Sequence, residues 1–595
     1  ALESISIPES VTSIGSCAFQ GCSGLTSITL PESLTEIKNY TFAYCIALES
    51  ISIPESVTSI GDYAFVCCES LTSITIPNSV VKIGSNAFWN YNNTPKLTSV
   101  TIGSGVKEIG YDAFSCHTIK KVNIENLSAW CNINFVNSLA NPIFYAEKFY
   151  VDGELVKDLI IPDDVTSISP YAFYYCKAVT NVTISGTVSS IGKYAFCYSG
   201  VKNLSLNEGL EAIEEGAFKS TLLTDITIPE GVTTIGTEAF SGSTSATSIT
   251  LPNTLTTVGK DAFRSLSSLE QINISDLGAW CGIDFANSYA NPMSGLSYGD
   301  KIYLNGVSIS ELELPTGIRF IGNYAFYGAG DIFGGYGAHL IIPDGVESIG
   351  EEAFYGFYRY YSITLPNSLS SIGTGAFRNC SALRSISFPE NMTSISPSLL
   401  LGCNSIEEVY LPDGITSIGD DAFSYCYGLT SITLPASLAS LGKSVFSHCS
   451  RLTSIISLAT TPPKCTTYET FAEMSPDATV YVPVSSVNKY ASAYGWSLLD
   501  NFIAIAQILD SQENYTQSEA QDCSLLTYTR TFNNTNWQAL YVPFEIPVTE
   551  KFLADFEVAD LNNVHQYDHD DDGVTDETVI EAFKMTSGVL EANYP

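Results

Sequence analysis

Apolar and polar residues alternate in short bursts along this chain, and the bursts recur about every 23 residues. The unit reads L-T-S-I-T-I-P-x-S-V-x-x-I-G-x-x-A-F-x-x-C-x-x. In Ile51-Ser52-Ile53 every second residue is apolar, the period of a strand with one buried face. Pro54 ends that strand because it has no N–H for the ladder. Val57 and Ile60 then return apolar side chains inward from a second short extended piece. Gly61 is expected to permit a sharp bend, and Asp62 to cap a single helical turn that carries Ala64 and Phe65 inward.

The Phe of the A-F pair marks the phase: Phe19, Phe42, Phe65, Phe88, Phe114, Phe173, Phe196, Phe218, Phe240, Phe263, Phe326, Phe354, Phe377, Phe423 and Phe446, with Leu400 filling one place. About twenty copies of the I-x-I-P-like segment run from Ile5 to Val480. One unit cannot fold alone, since ordering it costs roughly 35 kcal/mol of conformational entropy at about 1.5 kcal/mol per residue. Stacked copies close a continuous core, with neighbouring strands about 4.8 Å apart. The expected fold is a β-rich solenoid on the order of 100 Å long, with a parallel sheet on one face and short helical turns on another.

Two stretches break the period and resemble each other. Residues 127–162 and 277–315 share Trp130-Cys131 with Trp280-Cys281, and Asn141-Pro142 with Asn291-Pro292. Each contains a strand, then Asp152-Gly153 or Asn305-Gly306, then a second strand; Asp-Gly and Asn-Gly are favoured two-residue hairpin turns. Each insert reads as modified repeats carrying a projecting hairpin, serving as a curvature-adjusting spacer or as a binding protrusion. A third irregularity is aromatic. Tyr327, Phe333, Tyr336, Tyr355, Phe357, Tyr358, Tyr360 and Tyr361 fall in two consecutive repeats around the Gly-rich segment 328–337. Exposed aromatic clusters are candidate binding patches for protein or sugar; the competing reading is local packing of a wider loop. Tyr327 and Tyr355 follow the phase Phe by one residue and are expected to stack at the rim.

The solenoid is placed at residues 1–456 and its cap at 457–506, with a short helix over Val487–Ala493 closing the apolar end and Val480-Tyr481-Val482-Pro483 as the last strand. Residues 507–595 read as a linker and the start of a small β domain, with strands expected over Leu525–Phe532, Trp537–Ile546 and Val579–Met585.

Charge narrows the partners. With 26 basic and 63 acidic residues the formal net charge is −37, which disfavours phosphate backbones and anionic membrane surfaces. No apolar run is long enough for a transmembrane helix. The sequence opens inside a repeat, and an export signal is expected to precede it. Of 16 Cys, Cys22, Cys45, Cys68, Cys176, Cys380, Cys403, Cys426 and Cys449 share one phase. Side chains in one phase lie alongside rather than pointing at each other, so a buried ladder of free thiols is expected. The five His sit in no metalloprotease or nucleophile motif. No catalytic residue is assigned and no cofactor is expected, except that Asp568, Asp570 and Asp572 have the spacing that opens a calcium loop. Val579 stands where that loop needs its bidentate ligand, which leaves Asp576 or Glu577 as the substitute; a solvated acidic turn is the alternative.

The unit resembles the BspA-type bacterial leucine-rich repeat, seen in surface and secreted proteins of host-associated bacteria. The resemblance covers roughly residues 1–505 and implies a right-handed leucine-rich-repeat solenoid, a role in adhesion or protein binding, and no catalytic residues. The expectation is a monomeric, cell-surface or extracellular binding module for a protein or glycan ligand. Its rivals are a structural stalk for the C-terminal domain and a carbohydrate-active enzyme.

Overall fold

Alternation of inward and outward side chains builds each coil from two strands and a turn. In one coil Ser73–Ile76 is the longer strand and Lys82–Ile83 the shorter. The longer strands pair in parallel and in register, Ile74 beside Val100 and Ile76 beside Ile102. The shorter strands do the same, Ile60 beside Ile83. The inward residues of both sheets meet the phase Phe rings, which stack face to face: Phe42–Phe65 at 5.3 Å, Phe65–Phe88 at 5.2 Å, Phe196–Phe218 at 5.3 Å. The computed structural model describes residues 2–91, 95–297 and 299–507, and beyond these only five short strands. The solenoid has about 22 turns.

The turn bearing the Phe is not helical. Residues two before and two after the phase position adopt left-handed backbone: Tyr40 and Tyr44 around Phe42, Tyr171 and Tyr175 around Phe173, Gly375 and Asn379 around Phe377. A left-handed non-glycine residue costs roughly 1–2 kcal/mol. What offsets it is a ladder between coils. The Tyr63, Phe65 and Cys67 amides donate to the Ser85, Ala87 and Trp89 carbonyls of the next coil at 2.8–2.9 Å. The intervening amides close tight turns within the coil, such as Val66 N–H to the Tyr63 carbonyl at 3.2 Å. A helical turn would direct all these donors along one coil and leave the next unpaired. Asp62 accordingly caps no helix; its carboxylate accepts from the Ser85 amide of the following coil at 2.7 Å.

Gly61 is required for a reason other than bending. Its φ is not left-handed. A Cβ there would stand 2.6 Å from the Asn39 backbone nitrogen of the preceding coil. Gly84 and Gly442 show the same close approach, so the I-G glycines let the coils nest.

Polar side chains between coils are largely used internally. Ser56, Ser79 and Thr254 each donate to a carbonyl about one coil back, at 2.6, 2.7 and 2.9 Å. All fifteen cysteines among the described residues are free. The in-phase thiols also donate: Cys45, Cys68, Cys403 and Cys449 Sγ lie 3.1–3.3 Å from the carbonyl of the preceding phase residue. Ser243 takes the same position with its hydroxyl, on the Phe218 carbonyl at 3.2 Å. Burial pushes Cys449 up to about 12 and Cys45 up to about 11.

Both inserts carry the expected hairpin, Lys148–Val151 with Glu154–Leu155 and Lys301–Leu304 with Val307–Ile309. Asp152-Gly153 and Asn305-Gly306 are all left-handed, as the turn requires. Each hairpin ends one run of the longer-strand sheet. The shared Trp and Asn rejoin the array. Trp130 Nε1 donates to the Ala172 carbonyl at 2.9 Å, and Asn141 Nδ2 to the Tyr171 and Ala172 carbonyls at 2.7 and 2.9 Å. Trp280 and Asn291 repeat this on Tyr324 and Ala325. Trp and Asn therefore splice one array of coils to the next.

At the far end, the helix Val487–Ser492 buries Tyr490, and Trp496 packs 4.7 Å from Phe471. Beyond Thr479–Pro483 a further strand, Asn501–Gln507, joins the sheet, so the strand anticipated as the last is not the last. The chain divides into two compact units, Ala1–Ala504 and Ile505–Pro595. Within the second, Val564–Tyr567 pairs antiparallel with Glu577–Ile580. The Asp568, Asp570, Asp572 and Asp576 calcium candidates lie outside the described residues.

Candidate functional site

Phe326 and Phe354 stand 28 residues apart, five more than the usual spacing. The extra backbone forms a loop in which Gly328, Gly334 and Gly337 are left-handed. At Gly334 a Cβ would lie 2.8 Å from that of Ala338, so no other residue fits without displacement. A wider loop leaves a void beneath it, and three of the eight aromatic candidates fill that void. Phe333, Phe357 and Tyr360 are buried. Phe333 meets Phe326 edge-on at 6.4 Å, Phe357 meets Phe354 at 5.3 Å, and Tyr360 lies 4.9 Å from Phe357. These three are core residues and not part of an exposed patch.

Tyr327 and Tyr355 stack at the turn, 4.5 Å apart with planes 11° from parallel. The Tyr355 hydroxyl accepts from Asn379 at 2.9 Å. They form a separate, half-buried rim.

Tyr336, Tyr358 and Tyr361 remain. With Arg359, Ser381, Arg384 and Ser405 they line a shallow groove of about 370 Å³. Tyr336 is 83 % exposed on the loop. Tyr358 and Tyr361 come from the next coil, Ser381 and Arg384 from the one after, and Ser405 from a fourth. The Arg384 guanidinium stands 4.4 Å from the Tyr361 ring centroid, and that of Arg359 5.8 Å from Tyr336. Backbone bonds between coils fix these walls: Gly337 N–H to the Arg359 carbonyl and Arg384 N–H to that of Tyr361, both 3.0 Å. Of the groove members that reading the chain for aromatic residues missed, Ser381 and Ser405 among them, Arg359 and Arg384 carried a signal. Their signal was two guanidinium groups in adjacent coils of an acidic chain.

Among the described residues the histidines form no comparable centre. His339 Nδ1 bonds the Ser362 hydroxyl and its Nε2 that of Thr364, on an open strand face. His448 pairs with Glu473 at 2.9 Å and stacks on Tyr425 at 4.3 Å. Among the described residues no group of three His, Cys, Asp or Glu could hold a metal ion, and no helix is long and apolar enough to cross a membrane.

Solved structures similar to this chain include a leucine-rich repeat protein from Bacteroides ovatus, 23% identical over 73% of this chain and 79% of that one, with a TM-score of 0.27. A leucine-rich cell surface protein from Faecalibacterium prausnitzii is 28% identical over 67% and 83%, with a TM-score of 0.28. A leucine-rich repeat protein from Eubacterium ventriosum is 20% identical over 68% and 91%, with a TM-score of 0.37. No curated protein matches. A family model, the BspA type leucine rich repeat region, matches residues 1–120, 35–150, 166–290, 292–333 and 336–455. With the 23-residue period, the stacked phase Phe rings and the paired parallel sheets, that match establishes that the chain belongs to the BspA-type leucine-rich-repeat family.

Proposed function

We propose that this protein is a non-catalytic, adhesin-like binding module that works at the cell surface or after secretion, and that its ligand, a protein or a glycan, docks in the groove at Tyr336, Tyr358 and Tyr361. One observation carries the reading. Along the regular coils, hydroxyls, thiols and amides serve the stacking of one coil on the next. In the groove, three consecutive coils instead turn aromatic rings or guanidinium groups outward, and a fourth adds the Ser405 hydroxyl. Aromatic residues and Arg are the side chains that most often anchor binding interfaces. Family membership supports the same role by analogy.

The test is a binding screen of the full chain against extracellular-matrix proteins and a glycan array. It runs beside a variant carrying Tyr336→Ser, Tyr358→Ser and Tyr361→Ser. Saturable binding lost in the variant supports the module and its site. Binding that survives unchanged in the variant moves the site elsewhere. No binding in either panel removes the reading and favours a structural stalk.

A further inference from the structure

We infer that the groove recognises a sparsely charged acidic glycan, one bearing a carboxylate among otherwise neutral sugar rings; the inference rests on the binding role proposed above. Three features of the groove are complementary to such a ligand. Tyr336 and Tyr358 are exposed and Tyr361 is half-buried; their rings offer flat apolar surface with a polar tip, which suits the C–H face of a pyranose ring. Ser381 and Ser405 add hydroxyls that can both donate to and accept from sugar hydroxyls. Arg384 supplies a forked donor whose geometry matches a carboxylate.

Charge placement makes the arginine informative. The chain has only 26 basic residues against 63 acidic ones. Many of its cations are engaged with carboxylates: Lys82 with Glu108, Lys193 with Glu215, Arg319 with Glu347, Arg378 with Glu352. Arg384 is exposed and joins no ion pair among the described residues; its contact is the Tyr361 ring. Arg359 lies in the same groove. A groove with guanidinium groups, aromatic rings and hydroxyl edges thus sits on a chain of strongly negative net charge.

That contrast also sets the ligand's charge density. A densely sulfated chain would extend from the groove over a surface of net charge −37 and be repelled there. A ligand with one carboxylate per several sugars meets the arginine without that repulsion. A run of acidic residues shares the charge but offers the tyrosines no ring face.

The experiment measures equilibrium binding of the full chain to sialyllactose, to lactose as its neutral counterpart, to a glucuronate-containing tetrasaccharide, to a heparin fragment and to hexaglutamate. Sialyllactose or the tetrasaccharide should bind at least tenfold more tightly than lactose, and heparin no more tightly than either. Arg384→Gln should abolish the preference for the acidic sugar while leaving the melting temperature unchanged, and Arg384→Lys should keep part of it. Equal binding of lactose and sialyllactose overturns the acidic specificity and leaves the binding role intact. Tightest binding of heparin overturns the sparse-charge claim. Binding of hexaglutamate alone overturns the glycan assignment. Matrix-protein binding with no glycan bound overturns it too, whereas silence of every probe and every matrix protein removes the binding role as well.

Discussion

The coils of residues 377–449 and those of residues 326–361 use the same repeat to opposite ends. In the first, the phase residues follow every 23 residues. Cys380, Cys403, Cys426 and Cys449 line up, each thiol bonded to a carbonyl of the preceding coil. In the second, five extra residues open a gap that Phe333, Phe357 and Tyr360 close from inside. The same added backbone raises Tyr336 beside Tyr358 and Tyr361 outside. A perfect period repeats one surface, because every column serves its neighbours. A local lengthening is filled from within and creates relief without, so recognition can be added while the stack continues on both sides.

Breaking the inner half of the irregular stretch should have the largest effect. Phe357→Ala removes a fully buried ring and is expected to cost about 3–5 kcal/mol in denaturant unfolding. A cost below about 0.5 kcal/mol would return Phe357 to the surface patch that its place in the chain first suggested.

Trp280→Phe keeps a buried aromatic ring, though a smaller one, and removes the indole donor from the Ala325 carbonyl, leaving Asn291 as its side-chain partner. A loss of about 1–3 kcal/mol is expected, and the same for Trp130→Phe. If neither matters, the splices hold by packing alone.

In the regular stretch, Cys403→Ser keeps a donor on the Phe377 carbonyl and should cost no more than about 1.5 kcal/mol, since Ser243 fills that role elsewhere. The thiols also set a pH signature. Burial raises Cys449 from 9.0 to about 12, so the folded state holds that proton more tightly than the unfolded chain. Its contribution to stability is complete below pH 9 and falls as the pH rises toward 12. Urea midpoints measured from pH 8 to 11 should decline, and the decline should be smaller in Cys449→Ser. Identical slopes would contradict the assignment.

The smallest change in stability belongs to the groove. Tyr336→Ser should leave unfolding within about 0.5 kcal/mol of wild type while weakening ligand binding.

Much of this was legible in the chain. The alternation in Ile51-Ser52-Ile53, the Phe phase and the Asp-Gly and Asn-Gly turns each report a local rule, and the structure shows the strands, ring stack and hairpins they predict. The turn was misread because its left-handed positions hold Tyr, Glu and Ser as often as Gly or Asn, so residue type does not announce the backbone. What fixes it is the amide ladder to the next coil, a non-local cause. The same holds for the eight aromatic candidates. Inward Tyr360 and outward Tyr361 are adjacent in sequence, and only the strand register separates core from groove.

The central claim is that recognition centres on the groove beside the period break, to which the adjoining regular coils contribute Arg384, Ser381 and Ser405, and not on the remaining coils. It is tested most directly by titrating one ligand identified in the screen against three proteins in parallel. These are the wild type, a groove variant with Tyr336→Ser, Tyr358→Ser and Tyr361→Ser, and a control with Tyr111→Ser, Tyr289→Ser and Tyr427→Ser, three exposed tyrosines outside the groove. Loss of affinity in the groove variant with wild-type affinity in the control is the predicted result. Equal affinity in all three, or equal loss in both variants, would contradict it.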